Sequence, residues 1–341
     1  MPLQLGTGTN ISHWLSQSGR RGAERRAFFQ RDDVQRLAAW GFEHLRLPVD
    51  EEQLWDDADQ PDAEGFELLD AALDWAHAAG MKVLVDLHIL RSHHFISAAE
   101  PKLFTEPDGG ARFADLWRQL SARLQRRPVD RVAYELMNEP VAANPADWNR
   151  VALLAFRALR DLEPQRTIVL GSNRWNEPES FAHLAIPADR ETVLTFHYYR
   201  PMLITHHQAS WWPTGMLYDG PVQYPGRPIP PARLARLPEE ARAVLEPLNQ
   251  PHDRAAMVRD LAAPLAAAQR AGLPLYCGEF GVFDKVPQPV RLAWYRDFVS
   301  VLREHGIAWA NWDYKGGFAL VDGQGRSTGI AEAMLAAACG H

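Results

Sequence analysis

The chain has 341 residues with 46% hydrophobic composition and 12 Trp, enough apolar surface for a large core, which excludes the disordered and fibrous classes. Lys and Arg number 36 against 43 Asp and Glu, a formal charge of −7, so neither nucleic acid nor an anionic membrane surface is an expected partner. The expected ligand is small or neutral.

Eight short runs rich in Val, Ile, Leu and aromatics then read as strands: residues 3–11, 43–49, 82–88, 132–138, 166–172, 192–199, 273–280 and 307–314. Between the second and third, the segment 62–79 sets Phe66, Leu69, Leu73 and Ala76 on one helical face and stops at Gly80. Gly41, Gly272 and Gly306 punctuate other helix ends in the same way. Runs without polar alternation are those of a parallel sheet buried on both faces. Strand alternating with helix, eight times over, predicts a single (β/α)8 TIM barrel of class α/β, one catalytic domain over 1–341.

A typical barrel needs about 250 residues, so a surplus must lie in loops. Residues 201–251 hold 10 of the 25 prolines and follow the sixth strand without an immediate helix. Trp211, Trp212, Tyr218 and Tyr224 within it argue for packing, since disorder depletes aromatics. The stretch is expected to be an extended, ordered βα-loop on the active-site face.

Active sites of parallel barrels are built where strands end. That rule selects Arg46 from strand two, His88 from strand three, Asn138 and Glu139 from strand four, His197 and Tyr199 from strand six, Glu279 from strand seven and Trp312 from strand eight. Two glutamates from strands four and seven are expected to face each other across the barrel mouth, and paired carboxylates are the minimum machinery of glycoside hydrolysis. One must donate a proton while the other attacks or stabilises the anomeric carbon, so their protonation must differ. Arg46 beside one glutamate would hold it ionised. Asn138 can bind a substrate hydroxyl, and Trp312 can stack on a pyranose. Trp211 and Trp212 are read as stacking platforms for sugars outside the reacting subsite.

The motifs LMNEP (136–140), LRLPV (45–49), VDLH (85–88), FHYY (196–199), YCGEFG (276–281) and ANWDYKGGF (310–318), with NISHWLSQ (10–17), resemble glycoside hydrolase family 5, the cellulase-type family of retaining (β/α)8 enzymes. The likeness runs from about residue 5 to 320. It implies Glu139 as general acid/base and Glu279 as nucleophile, with Arg46, His88, Asn138, His197, Tyr199 and Trp312 as the supporting shell. The 201–251 loop is longer than the family minimum.

No cofactor or metal is expected. The G-T-G-T start lacks the third glycine of a dinucleotide fingerprint, and the adjacent pairs His93–His94 and His206–His207 are poorly placed to share one ion. No G-x-S-x-G elbow appears. Cys277 and Cys339 are expected as free thiols. No apolar run reaches the roughly 18 residues of a membrane span, and the start lacks the pattern of an export signal. The acidic run 50–57 reads as a solvated charge patch in which Trp55 edges an outer sugar subsite. The leading expectation is an endo-β-1,4-glucanase acting on an oligo- or polysaccharide. A β-mannanase, an exo-acting β-glucosidase or β-1,3-glucanase, and a non-catalytic carbohydrate-binding barrel are the alternatives.

Overall fold

The computed structural model describes residues 1–340. Eight parallel strands close into one barrel in chain order: β1 (Thr7–Asn10), β2 (His44–Val49), β3 (Lys82–Leu87), β4 (Val132–Glu135), β5 (Ile168–Gly171), β6 (Thr192–Tyr198), β7 (Leu275–Phe280) and β8 (Ala308–Asn311). Each lies inside a run read from the sequence and is shorter than it. Helices follow most strands, as the alternation requires. The helix Ala63–Ala78 begins where the Asp62 side chain accepts from the Gly65 N–H and buries Phe66, Leu69, Leu73 and Ala76. Beyond it Gly80 takes φ = 75°, a left-handed conformation that costs glycine little. The helix Pro145–Leu162 starts on Asn144, whose side chain accepts from the Ala146 N–H, and buries Trp148, Val151, Ala155 and Leu159.

Packing divides the chain into two compact units. The first comprises Met1–His197, Ala263–Gly278 and Ala308–Ala310 and holds the strand ladder. Its centre is an apolar cluster of Leu5, Leu84, Ala133, Val169, Val193, Tyr276 and Ala310. Side chains two apart on a strand share a face. The face that buries Leu84 therefore presents Asp86 and then His88, that of Ala133 presents Glu135, and that of Val193 presents Thr195 and then His197. An apolar layer gives way to a polar one along the strands. Where the layer tightens, Gly8 leaves room for the His44 ring, which a Cβ there would meet at 2.2 Å. His44 in turn spans Leu5 O (3.1 Å) and the Tyr276 hydroxyl (2.9 Å).

The second unit comprises Tyr198–Ala262, Glu279–Ile307 and the residues from Asn311 onward. It includes the proline-rich stretch, which is more helical than its prolines suggested. Met202–Thr205 forms a helical turn directly after β6, followed by turns at Pro213–Leu217 and Pro231–Leu234 and a helix at Glu239–Leu248. Pro213 and Pro231 open their turns at the first position, where a missing N–H costs nothing. Buried polar contacts fasten the stretch: Asn249 bonds both the N–H (2.8 Å) and C=O (2.9 Å) of Ile229, and the Tyr224 hydroxyl donates to Asp297 (2.7 Å).

The acidic run 50–57 departs from its reading as a solvated patch. Asp50 and Glu51 are buried, Glu51 pairing with Arg91, while Asp56 and Asp57 are exposed. Trp55 is 1% exposed, donates to Gln119 Oε1 (2.8 Å) and meets Phe66 edge to face, so it is a core residue rather than a sugar platform. Flanking carboxylates marked a surface, but the indole itself packs under the Ala63–Ala78 helix. Neither Cys277 nor Cys339 forms a disulfide among the described residues.

Candidate active site

In the first unit Arg46, fully buried on β2, organises the polar layer. Its Nε and Nη2 grip Glu135 side-on (2.7 and 3.0 Å), Nη1 donates to Asn10 Oδ1 (2.8 Å), and Nη2 also reaches Asn138 Oδ1 and Asp86 Oδ2, both at 3.0 Å. Two carboxylates thus share one guanidinium. Burial pushes both Asp86 and Glu135 up to about 7, against the pull of Arg46. Asp86 Oδ2 also meets His88 Nδ1 at 2.8 Å. An oxygen receiving Arg46 acts as an acceptor, so His88 carries its proton on Nδ1, and its Nε2 accepts from the Gln17 amide (2.9 Å). Burial first, then Arg46, hold His88 well below the usual histidine range, and it is neutral.

Glu139 lies just past β4, where the Asn138 N–H still bonds Leu87 O (3.0 Å). Its φ of 44° falls in the left-handed region, which non-glycine residues seldom occupy and which concentrates at functional sites. Glu139 Oε1 meets His197 Nδ1 at 2.9 Å, and Asn176 Nδ2 lies 3.4 Å from His197 Nε2. His197 is neutral, pushed well below its usual range by burial and then by Arg46. The segment bearing Asn176 is itself strained: Arg174, Trp175 and Asn176 all have φ between 54° and 58°.

In the second unit the Tyr199 hydroxyl donates to Glu279 Oε2 (2.9 Å). Glu279 is buried. Tyr198, on the other face of β6, turns its hydroxyl to Asp260 (2.8 Å) and His252 (3.0 Å) and stacks on Phe298. Around Tyr199 stand rings in edge contact: His206 at 5.1 Å, and beyond it Trp211 and Trp212, each 6.2 Å from His206. Trp211 is 49% exposed and packs on Phe283 (4.9 Å). Trp212 is partly buried against Gly215. Trp312, just past β8, is buried, and its backbone N–H donates to Phe280 O (2.8 Å).

The strand-end rule therefore brings Arg46, His88 and Asn138 into one network, His197 to Glu139, and Tyr199 to Glu279. It missed Asn10, Gln17, Asp86, Glu135 and Asn176. A signal for two of them was present: Asp86 and Glu135 stand inside apolar runs, and a buried carboxylate demands a partner. The arginine expected to hold a glutamate ionised grips Glu135. Of the histidine pairs, His93 Nε2 accepts the Val141 N–H (3.2 Å), with burial pushing it down to about 3, and His206 packs among rings.

The chain matches the cellulase family (glycosyl hydrolase family 5) over residues 9–317. Endoglucanase C of Acetivibrio thermocellus is 29% identical over 311 residues, 90% of each chain. Cellodextrinase A of Ruminococcus flavefaciens is 28% identical over 304 residues, 88% of this chain and 83% of that one. Among solved structures, endoglucanase Cel5A from Thermotoga maritima superposes with a TM-score of 0.79 at 21% identity over 97% of both chains, and it has also been solved with cellobiose and with mannotriose.

Proposed function

The chain belongs to the cellulase family, glycosyl hydrolase family 5, and from that premise we propose that it is an endo-β-1,4-glucanase in which Glu139 is the general acid/base and Glu279 the nucleophile. The observation that carries the assignment is the end of β6. His197, near the end of β6, meets Glu139, and Tyr199, just past that end, meets Glu279. The glutamates receive different partners, a neutral imidazole and a phenol, as an acid and a nucleophile require.

In the first step the Glu279 carboxylate attacks the anomeric carbon while Glu139 gives its proton to the departing oxygen, leaving a glycosyl-enzyme ester. In the second, Glu139 takes a proton from water, and that water displaces Glu279 with net retention. The Tyr199 O–H orients the nucleophile through Oε2. Arg46, His88, Asn138, His197, Tyr199 and Trp312 make up the substrate-binding shell. Residues 1–341 act as one catalytic domain, with 201–251 as its active-site loop and Trp211 and Trp212 as platforms for outer sugars.

Glu279→Ala tested with azide should yield an α-glycosyl azide, and Glu139→Ala should keep activity on substrates whose leaving group needs no proton. Equal loss on good and poor leaving groups, with no azide adduct from either variant, overturns the roles. Proton NMR should show the β anomer first. A panel of cello-oligosaccharides, mannans and aryl glycosides tests the substrate, and preferential turnover of mannan would replace glucanase by mannanase.

A further inference from the structure

Asn138 is held in an unusual way for a substrate-facing amide. Its Oδ1 accepts from Arg46 Nη2 at 3.0 Å, while its Nδ2 is buried with no hydrogen-bond partner among the described residues. Arginine has donors and no acceptor, so the atom turned to Arg46 must be the amide oxygen, and the NH2 must point the other way. The orientation is therefore chemical rather than a matter of fit. It holds only as long as the guanidinium is itself fixed; Asp86 Oδ2 meets Nη2 at one point, and the two-point grip falls to Glu135. Glu135 is fully buried and takes Nε and Nη2 through its two oxygens, a fork that leaves the guanidinium plane no freedom to turn. Asn10 Oδ1 supports the far nitrogen, Nη1.

We propose that Glu135 is a positioning residue: by clamping Arg46 it keeps the Asn138 amide oxygen turned inward, so that the NH2 stands as a fixed donor to the 2-hydroxyl of the sugar being cleaved. The inference rests on the glycosidase reading above, in which Asn138 meets substrate. Hydrogen bonds to the 2-hydroxyl strengthen as charge develops at the neighbouring anomeric carbon, so a donor that cannot flip matters most in the transition state. When the clamp is released, the amide is free to rotate and offer its oxygen instead, and the discrimination is lost although Asn138 is still present.

The test compares aryl β-cellobiosides with and without the 2-hydroxyl on the reacting ring, as the ratio of their kcat/KM values within one preparation. That ratio is independent of the folded fraction. Asn138→Ala should shrink the cost of removing the hydroxyl by roughly tenfold, the worth of a hydrogen bond to a developing charge, and Glu135→Gln should shrink it nearly as much. Arg46→Lys keeps the charge but lacks the fork, and should do the same from the other end of the chain, which keeps the proposal testable if Glu135→Gln does not fold. A Glu135→Gln or Arg46→Lys enzyme that loses activity on both substrates alike, with the ratio unchanged, overturns the positioning role. A ratio unmoved by Asn138→Ala overturns the contact itself, and the proposal with it.

Discussion

Around Arg46 the side chains are buried and meet at 2.7–3.0 Å, each donor facing an acceptor from another strand. Around His206 the rings meet edge to face at 5.1–6.2 Å, and Trp211 is half exposed. The first region is made by residues on the strands or just past their ends, whose positions follow from the ladder. The second is made largely by the proline-rich stretch, whose turns are set by local chain stiffness. Directional bonds between charged groups tolerate little displacement, whereas ring contacts are broad and tolerate more. On the proposed reading, acid/base chemistry relies on the first kind of contact and the choice of substrate length on the second.

The largest effect expected is from Arg46→Leu, which leaves Glu135 and Asp86 buried without their cation and should cost about 3–5 kcal/mol in a urea titration. Because burial already lifts both carboxylates to about 7, the cost should be smaller at pH 5, where they can be neutral, than at pH 8. A loss independent of pH contradicts the picture of two acids sharing one base. Next, Gly278→Ala puts a methyl 2.9 Å from Thr195 Oγ1 and 3.2 Å from His197 Nε2. Displacing His197 should lower kcat/KM by up to about 100-fold on short and long substrates alike. Unchanged kinetics in that variant would show that the polar region yields as readily as the rings do.

Trp211→Ala sharpens the contrast from the other side. It should reduce kcat/KM on long oligosaccharides by roughly tenfold, about 1.4 kcal/mol, with less effect on a small aryl glycoside and little on melting temperature. Trp212→Ala should show the same split between long and short substrates, with a larger fall in melting temperature because its ring is partly buried. If both variants melt early and slow all substrates equally, both rings are structural anchors. The smallest effect expected is from Asp50→Asn. The Gln17 N–H donates to Asp50 at 2.6 Å, and burial raises Asp50 from the ordinary 3.8 to about 7. The native state holds that proton where the unfolded chain has released it. Its stability is therefore full below about pH 4 and declines as the pH rises through 7. Asparagine has no such dependence, so melting curves should show the variant gaining on the parent by about 1 kcal/mol between pH 6 and 7. Parallel curves would mean that Asp50 titrates as an ordinary carboxylate.

The two regions also differed in how far residues alone disclosed them. All eight strands showed as Val, Ile and Leu runs because both faces of a parallel sheet are buried. Their ends were overlong, since residues such as Leu136 and Met137 stay apolar after the ladder stops. The strand-end polar residues were visible for the same reason, as interruptions of those runs. Asp86 and Glu135 interrupt those runs too, but before the strand ends, and the partner that draws each into the site is on another strand, 40 positions away for Asp86 and 89 for Glu135. Trp55 misled in the opposite sense: acidic neighbours suggested solvent, and only the helix packed over it shows burial. In the 201–251 stretch, proline content announced loops but not the turns that proline starts.

The placement of His197 on β6, and of Tyr199 two positions on and just past its end, bears on how such a protein tolerates insertions and deletions. A strand slipped by one residue exchanges its two faces completely. Were β6 to shift by one against β5, where Ile168 now pairs with Thr192, the face of Tyr198 would replace that of His197 and Tyr199. Both glutamates would lose their partners in a single event. Length changes in the segment between β5 and β6 that are absorbed in the loop should be silent, and those that reach the strand should abolish activity outright, with no graded series between them.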